Sequence, residues 1–156
     1  MEKITLNKLN FEIIINAPVE KVWDTMLGEE TYLIWAKEFS PNTKSWVEGS
    51  WEEGSKIKFL AKDKNGISGM TSEIAENKQY KFVSIRHLGY VLNGVEDTTS
   101  PEITALMPSY ENYSFEQLDE NTTKLRVYMD SDPKYTEMFQ ELWPKALTKL
   151  KEICES

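Results

Sequence analysis

Few side chains in this sequence combine into a catalytic site of a familiar type. The chain has one histidine, His87, and one cysteine, Cys154, so a Ser/His/Asp or Cys/His site would depend on His87. The sequence neighbours of His87, Arg86 and Leu88, offer no partner that would position an imidazole for acid–base work. A zinc site would need mostly carboxylate ligands, which is unusual for that metal. We therefore expect no catalytic residue, metal ion or cofactor. We interpret His87 as a structural or surface residue, with a polar pocket group and a catalytic group as the alternatives.

Arg86 is a second residue that could contact a ligand. It is one of two arginines in the chain, and it shares a predicted strand face with Phe82 and Ser84. If that face lines a cavity, the guanidinium can form two parallel hydrogen bonds with a ligand carboxylate. If the face is external, the guanidinium pairs with a glutamate, and we favour this second arrangement.

The aromatic side chains are a stronger indication of function. They make up 12% of the chain, and ligand pockets are mostly apolar with a few placed polar groups. Core packing is the alternative explanation for rings at helix or strand spacing. We predict a ligand-binding cavity whose lining includes Trp23, Trp35, Phe59, Met70, Phe82, Arg86, Tyr113, Met138 and Leu142.

A long C-terminal helix over Lys134–Glu155 is the element expected to position these groups. Its apolar residues form a stripe about 180° wide, which is broader than a surface helix needs. Such a stripe requires a concave partner, and a curved antiparallel sheet provides one. The stripe contains Met138, Phe139, Leu142, Trp143, Ala146, Leu147, Leu150, Ile153 and Cys154.

The chain begins with a predicted strand followed by short helices. Apolar residues alternate over Leu9–Asn16, which is typical of a half-buried strand. Pro18 suits the first turn of a helix, and Gly28 is suited to ending it. The segment Glu29–Trp35 predicts a second short helix.

Antiparallel strands are predicted for most of the remaining chain. The pairs Asn65-Gly66 and Asn93-Gly94 favour tight hairpin turns because both residues tolerate positive φ. We expect turns over Ser40–Ser50 and Glu76–Lys78, and irregular structure over Glu96–Pro108. The predicted strands are Lys56–Lys62, Ile67–Ile74, Tyr80–Leu88, Tyr110–Leu118 and Thr123–Met129. This order of elements predicts an α+β architecture with helices on one face of the sheet.

Several segments occur in the order expected of one known superfamily. They are Ile15–Trp23, Trp51–Phe59, Tyr113–Phe115 with Thr122–Val127, and Trp143–Lys151. The first resembles the strand-to-helix opening of the START-like, Bet v 1-like superfamily. The others are similar to its bacterial branch named after the activator of Hsp90 ATPase. The segment 89–108 departs from the superfamily pattern.

The resemblance implies a helix-grip fold, in which a curved antiparallel sheet of about six to seven strands wraps round the C-terminal helix. It also implies a cavity between them that holds a hydrophobic or amphipathic small molecule. Two alternatives follow from the same resemblance. One is a protein-interaction domain with a chaperone partner, acting on an Hsp90-type ATPase. The other is a cyclase- or hydratase-like enzyme that uses the same cavity.

Length and charge limit the remaining classes of function. A chain of 156 residues predicts one domain over 1–156. The net charge of −8 argues against nucleic acid and against anionic membrane surfaces as partners. No apolar run approaches about 20 residues, so we expect no membrane insertion. A single cysteine and no signal-peptide pattern predict a reducing cytoplasm.

Overall fold

The computed structural model describes residues 2–156, which form an α+β fold. In this range eight strands make one antiparallel sheet in the order β1-β8-β7-β5-β4-β3-β2, with β6 paired to β5. The strands are Asn7–Ile15 (β1), Lys44–Gly49 (β2), Lys56–Asp63 (β3), Gly66–Lys78 (β4), Phe82–Leu92 (β5), Val95–Asp97 (β6), Ser109–Asp119 (β7) and Thr122–Ser131 (β8).

The helices confirm the predicted order of elements. They are Val19–Leu27 (α1), Glu29–Trp35 (α2), Pro101–Thr104 (α3) and Thr136–Glu155 (α4), with 3-10 turns at Ala36–Phe39 and Pro133–Tyr135. The curved sheet wraps round α4, so the predicted helix-grip fold is confirmed. None of the helices within residues 2–156 combines the length and apolarity needed to cross a bilayer.

The core forms where α4 faces the sheet, because that face carries the apolar stripe. Each large apolar side chain gains roughly 1.5–3 kcal/mol on full burial. The stripe is narrower than predicted, since Met138 is 40% exposed and Leu142 is only half-buried. Both residues flank the face that contacts the sheet. The fully buried residues of α4 are Trp143, Ala146, Leu147, Leu150 and Cys154.

Two expected turns are wrong because strand pairing overrides the local sequence. The segment Ser40–Ser50 contains strand β2, in which Trp46 pairs with Leu60 of β3. Strand β4 continues through Lys78, and register shifts at Thr71/Ser72 and Ile74/Glu76 interrupt its alternation. Because these irregularities break the alternation of apolar and polar residues, the sequence pattern predicts a shorter strand than β4.

The other turn predictions are confirmed. The pair Asn65-Gly66 lies at the tip of the β3–β4 hairpin, where Gly66 has a φ of 114°. The pair Asn93-Gly94 connects β5 to β6, and both residues have positive φ. The expectation of irregular structure over Glu96–Pro108 is wrong in part, because Glu96 and Asp97 pair with β5 and Pro101–Thr104 forms the short helix α3.

Candidate functional site

A cavity of about 260 Å³ lies between the sheet and the N-terminal half of α4. Its walls come from α2 and the following 3-10 turn, from strands β2, β3, β4, β5 and β7, and from α4. Most of the large side chains around it are aromatic. The rings are those of Tyr32, Trp35, Phe39, Trp46, Phe59, Tyr113, Phe139 and Trp143.

Trp143 connects the rings on the helix side of the cavity. Its ring centroid lies 5.0 Å from that of Phe39, 5.9 Å from that of Trp35 and 6.0 Å from that of Tyr113. The Trp35 indole N–H donates to the Met26 carbonyl at 3.0 Å. By contrast, the buried Trp143 Nε1 has no hydrogen-bond partner within residues 2–156. The helix side therefore offers one unused donor, on a residue that lines the cavity.

Tyr32 connects the rings on the side of α2. Its ring centroid is 5.0 Å from that of Trp35, 5.8 Å from that of Phe59 and 5.9 Å from that of Trp51. Tilted and edge-on contacts of this kind are favourable because the positive ring edge meets the negative ring face. They hold α2 against β3 and fix the position of the Tyr32 ring at the cavity wall.

A polar cluster consisting of Ser72, His87, Glu111 and Tyr113 spans β4, β5 and β7 at the sheet side of the cavity. His87 is buried and lies opposite Ser72 in the β4–β5 register. Its Nδ1 is 2.6 Å from Ser72 Oγ, and its Nε2 is 3.1 Å from Glu111 Oε1. The Tyr113 hydroxyl donates to the other carboxylate oxygen of Glu111.

The carboxylate determines the direction of these hydrogen bonds. An ionised carboxylate only accepts, so His87 Nε2–H donates to Glu111. In a neutral imidazole, Nδ1 then accepts a hydrogen bond from the Ser72 hydroxyl. The imidazole is thus held in one orientation by residues on both sides.

The environment of the cavity also sets the protonation of its two phenols. Burial raises the pKa of Tyr113 well above its usual value, and the negative charge of Glu111 raises it further. Burial also raises the pKa of Tyr32, again with a contribution from Glu111. Both hydroxyls therefore stay neutral near pH 7 and can donate hydrogen bonds.

The cavity consequently combines an apolar aromatic wall with a small polar region. Within residues 2–156 no three His, Cys, Asp or Glu side chains converge as a metal site would require.

The structure brings some of the predicted site residues together at this cavity. Trp35, Phe59, Met70 and Tyr113 line it, and their contact with a ligand stays a prediction. Trp23 does not line it. Instead, Trp23 packs in the core beneath α1, where its ring centroid is 4.9 Å from that of Phe115.

Phe82 and Arg86 lie away from the cavity, on the outer face of β5. The alternation of the strand directs Val83, Ile85 and His87 inward, where they are buried. The prediction that Phe82 and Arg86 point inward was therefore wrong, because the inward and outward faces of the strand were assigned one residue out of step. The Arg86 Nε donates to the Tyr110 hydroxyl at 3.0 Å, and the guanidinium also pairs with Glu73. The favoured interpretation of Arg86, a glutamate pair on the outer face, is confirmed.

Met138 and Leu142 also lie outside the cavity, because the helix presents Phe139 and Trp143 to it. Ser72 and Glu111 were not predicted as site residues. A usable signal exists for Glu111, which shares a strand face with Tyr113 and Phe115. A carboxylate on the same face as two buried aromatic residues indicates a buried polar role.

Solved structures with the same architecture include protein NE0264 from Nitrosomonas europaea, with a TM-score of 0.71 and 15% identity over 95% of this chain and 94% of that one. The Aha1 dimer from Colwellia psychrerythraea gives a TM-score of 0.65 and 21% identity over 96% of each chain. CalU16 from Micromonospora echinospora gives 0.61 and 14% identity, over 93% of this chain and 74% of that one. This chain shares their fold. No protein-family model matches the sequence, and no curated protein matches it significantly. At these identities the likeness extends to the helix-grip fold and not to an activity.

Proposed function

We propose that this protein belongs to the START-like, Bet v 1-like superfamily and binds a hydrophobic or amphipathic small molecule between its sheet and α4. The cavity of about 260 Å³ is the observation that carries this proposal. Its walls are largely aromatic, and polar groups occur together at one side, which is the usual composition of a small-molecule site. The partly open interior of a helix-grip fold also supports it.

The proposal is tested with N-phenyl-1-naphthylamine, an uncharged dye whose fluorescence rises in apolar surroundings. We expect saturable binding to the wild-type protein. Met70 lines the cavity, so Met70→Trp should fill part of it and weaken dye binding about tenfold or more. Phe82 lies on the outer face of β5, so Phe82→Trp is the matched control and should leave binding unchanged. Equal binding by both variants would place the dye elsewhere on the protein.

A second experiment identifies the natural ligand class. The protein is purified from its native host and extracted with organic solvent, and the extract is compared by mass spectrometry with a matched blank. A small molecule at a stoichiometric amount is expected. An extract equal to the blank would contradict tight binding. Dye displacement would then test whether the ligand binds weakly and exchanges during purification.

The polar cluster favours an enzyme of the cyclase or hydratase kind as a second candidate function. His87 lines the cavity and is oriented by Ser72 and Glu111, and a positioned imidazole is one requirement of acid–base catalysis. Once a ligand is known, its turnover by the wild-type protein and by His87→Gln distinguishes the two functions. An enzyme would convert the ligand, and His87→Gln would lose that activity, whereas a binding protein would leave the ligand unchanged.

A chaperone partner has less support, because the likeness to the Aha1 dimer concerns the fold alone. A cytoplasmic location stays a prediction.

A further inference from the structure

We propose that the cavity selects organic cations, namely small amphipathic molecules with a quaternary or protonated amine that sits between Glu111 and the surrounding rings. This inference rests on the proposed binding function and names the chemical class of its ligand. Two features of the site lead to it: a carboxylate that lines the cavity and has no Lys or Arg partner among the described residues, and aromatic rings around that carboxylate.

The Glu111 carboxylate is the first feature. Its side chain is 19% exposed, and Glu111 lines the cavity. In the part of the chain that the structure describes, no Lys or Arg side chain forms a salt bridge with it, and His87 is its ion-pair partner only when protonated. A buried carboxylate is unfavourable without a compensating charge or full hydrogen bonding. A cationic ligand would supply that charge.

The hydrogen bonds of Glu111 leave room for such a ligand. One oxygen accepts from His87 Nε2, at 3.1 Å, and the other accepts from the Tyr113 hydroxyl. A carboxylate has about four lone-pair positions, so two donors do not saturate it. The two donors also hold the carboxylate in a fixed orientation. Binding a cation would therefore require little reorganisation of the site.

The rings near the carboxylate are the second feature. Tyr113 contacts both Glu111 and the ring of Trp143. The ring centroid of Phe59 lies 6.1 Å from that of His87. Tyr32 contacts Phe59 and is close enough to Glu111 for that charge to raise its pKa. The negative faces of aromatic rings attract ammonium groups, and the attraction strengthens where water is excluded.

The cavity accommodates the other ligand classes less well. An uncharged apolar ligand would remove water from Glu111 and leave the carboxylate without a counter-charge, and an anion would be repelled by it. Lys37 also lines the cavity, but it is exposed at the mouth, where solvent and salt screen its charge. The net charge of −8 further favours the approach of cations over anions.

Three probes of nearly the same shape test the inference by calorimetry: choline, the uncharged 3,3-dimethylbutan-1-ol, and the anionic 3,3-dimethylbutanoate. We expect choline to bind about tenfold more tightly than the alcohol and the anion to bind least. In Glu111→Gln, which keeps the size of the side chain, the preference for choline over the alcohol should fall to the smaller part that the rings supply. Arg86→Gln, on the outer face, should preserve the wild-type preference.

The outcomes distinguish the two proposals. If the alcohol or the anion binds as tightly as choline to the wild-type protein, the cation inference is overturned, whether or not Glu111→Gln folds. The same holds if Glu111→Gln folds and keeps the full wild-type preference for choline. If the neutral dye binds in the cavity but choline does not, the binding function stands and the cation inference fails. If neither dye nor any probe binds, both are overturned.

Discussion

His87 Nε2 lies 3.1 Å from Glu111 Oε1, although the two residues are 24 positions apart in the chain. The contact connects β5 to β7, and Ser72 extends it to β4. His87 and Glu111 are therefore part of both the sheet and the cavity wall, and Ser72 supports them from behind the wall. Their removal should affect stability and ligand binding separately, which makes each role measurable.

Ser72→Ala should lower the free energy of unfolding by about 1–3 kcal/mol, because it leaves His87 Nδ1 buried without its partner. Chemical denaturation measures this change. Ser68→Ala is the matched control, since Ser68 lies on the same strand but is exposed, and it should change stability by no more than about 0.5 kcal/mol. Equal effects of the two substitutions would show that the Ser72–His87 contact is not a stabilising hydrogen bond.

Trp143→Ala should lower the free energy of unfolding by about 3–5 kcal/mol, because it removes a ring that packs against several others in the core. Met138→Ala, on the exposed flank of the same helix, should change it by less than about 0.5 kcal/mol. Both are measured by urea denaturation. A large loss from Met138→Ala would indicate that the apolar stripe of α4 is as wide as the sequence predicted.

Stability should decline at alkaline pH because of Tyr113. Burial raises its pKa in the folded protein well above the ordinary phenol value of 10.0, so the unfolded chain releases this proton at lower pH. The contribution is fully present below pH about 10 and is lost above it, at up to about 1.4 kcal/mol per pH unit. Denaturation curves between pH 9 and 11 measure the slope. Tyr113→Phe should reduce it, and an unchanged slope would contradict the effect of burial on this phenol.

Arg86→Ala should lower the free energy of unfolding by no more than about 1 kcal/mol, since the guanidinium and Glu73 are partly exposed and exposed ion pairs contribute little. Binding of the neutral dye should not change, because Arg86 faces away from the cavity. Denaturation and dye titration of the same preparation check both expectations. Weaker dye binding at unchanged stability would return Arg86 to the ligand site.

The features of the fold that depend on neighbouring residues could be predicted from the sequence. Alternation over Leu9–Asn16 predicted β1, because successive side chains of a strand point to opposite faces. Gly28 separates α1 from α2 as expected, and both Asn-Gly pairs lie in hairpin turns. The apolar stripe of the last helix predicted a concave partner, and the curved sheet is that partner, although the stripe is narrower than predicted.

The set of residues that meet at the cavity depends on contacts between distant parts of the chain. Strand β2 exists because Trp46 and its neighbours pair with β3, and a turn-rich sequence does not encode that pairing locally. A shift of one position reverses the face of every residue in a strand. Phe82 and Arg86 therefore face outward and His87 faces inward, which is the reverse of the prediction. Glu111 meets His87 through the register of distant strands. Local periodicity sets the elements of this fold, whereas non-local pairing sets its site.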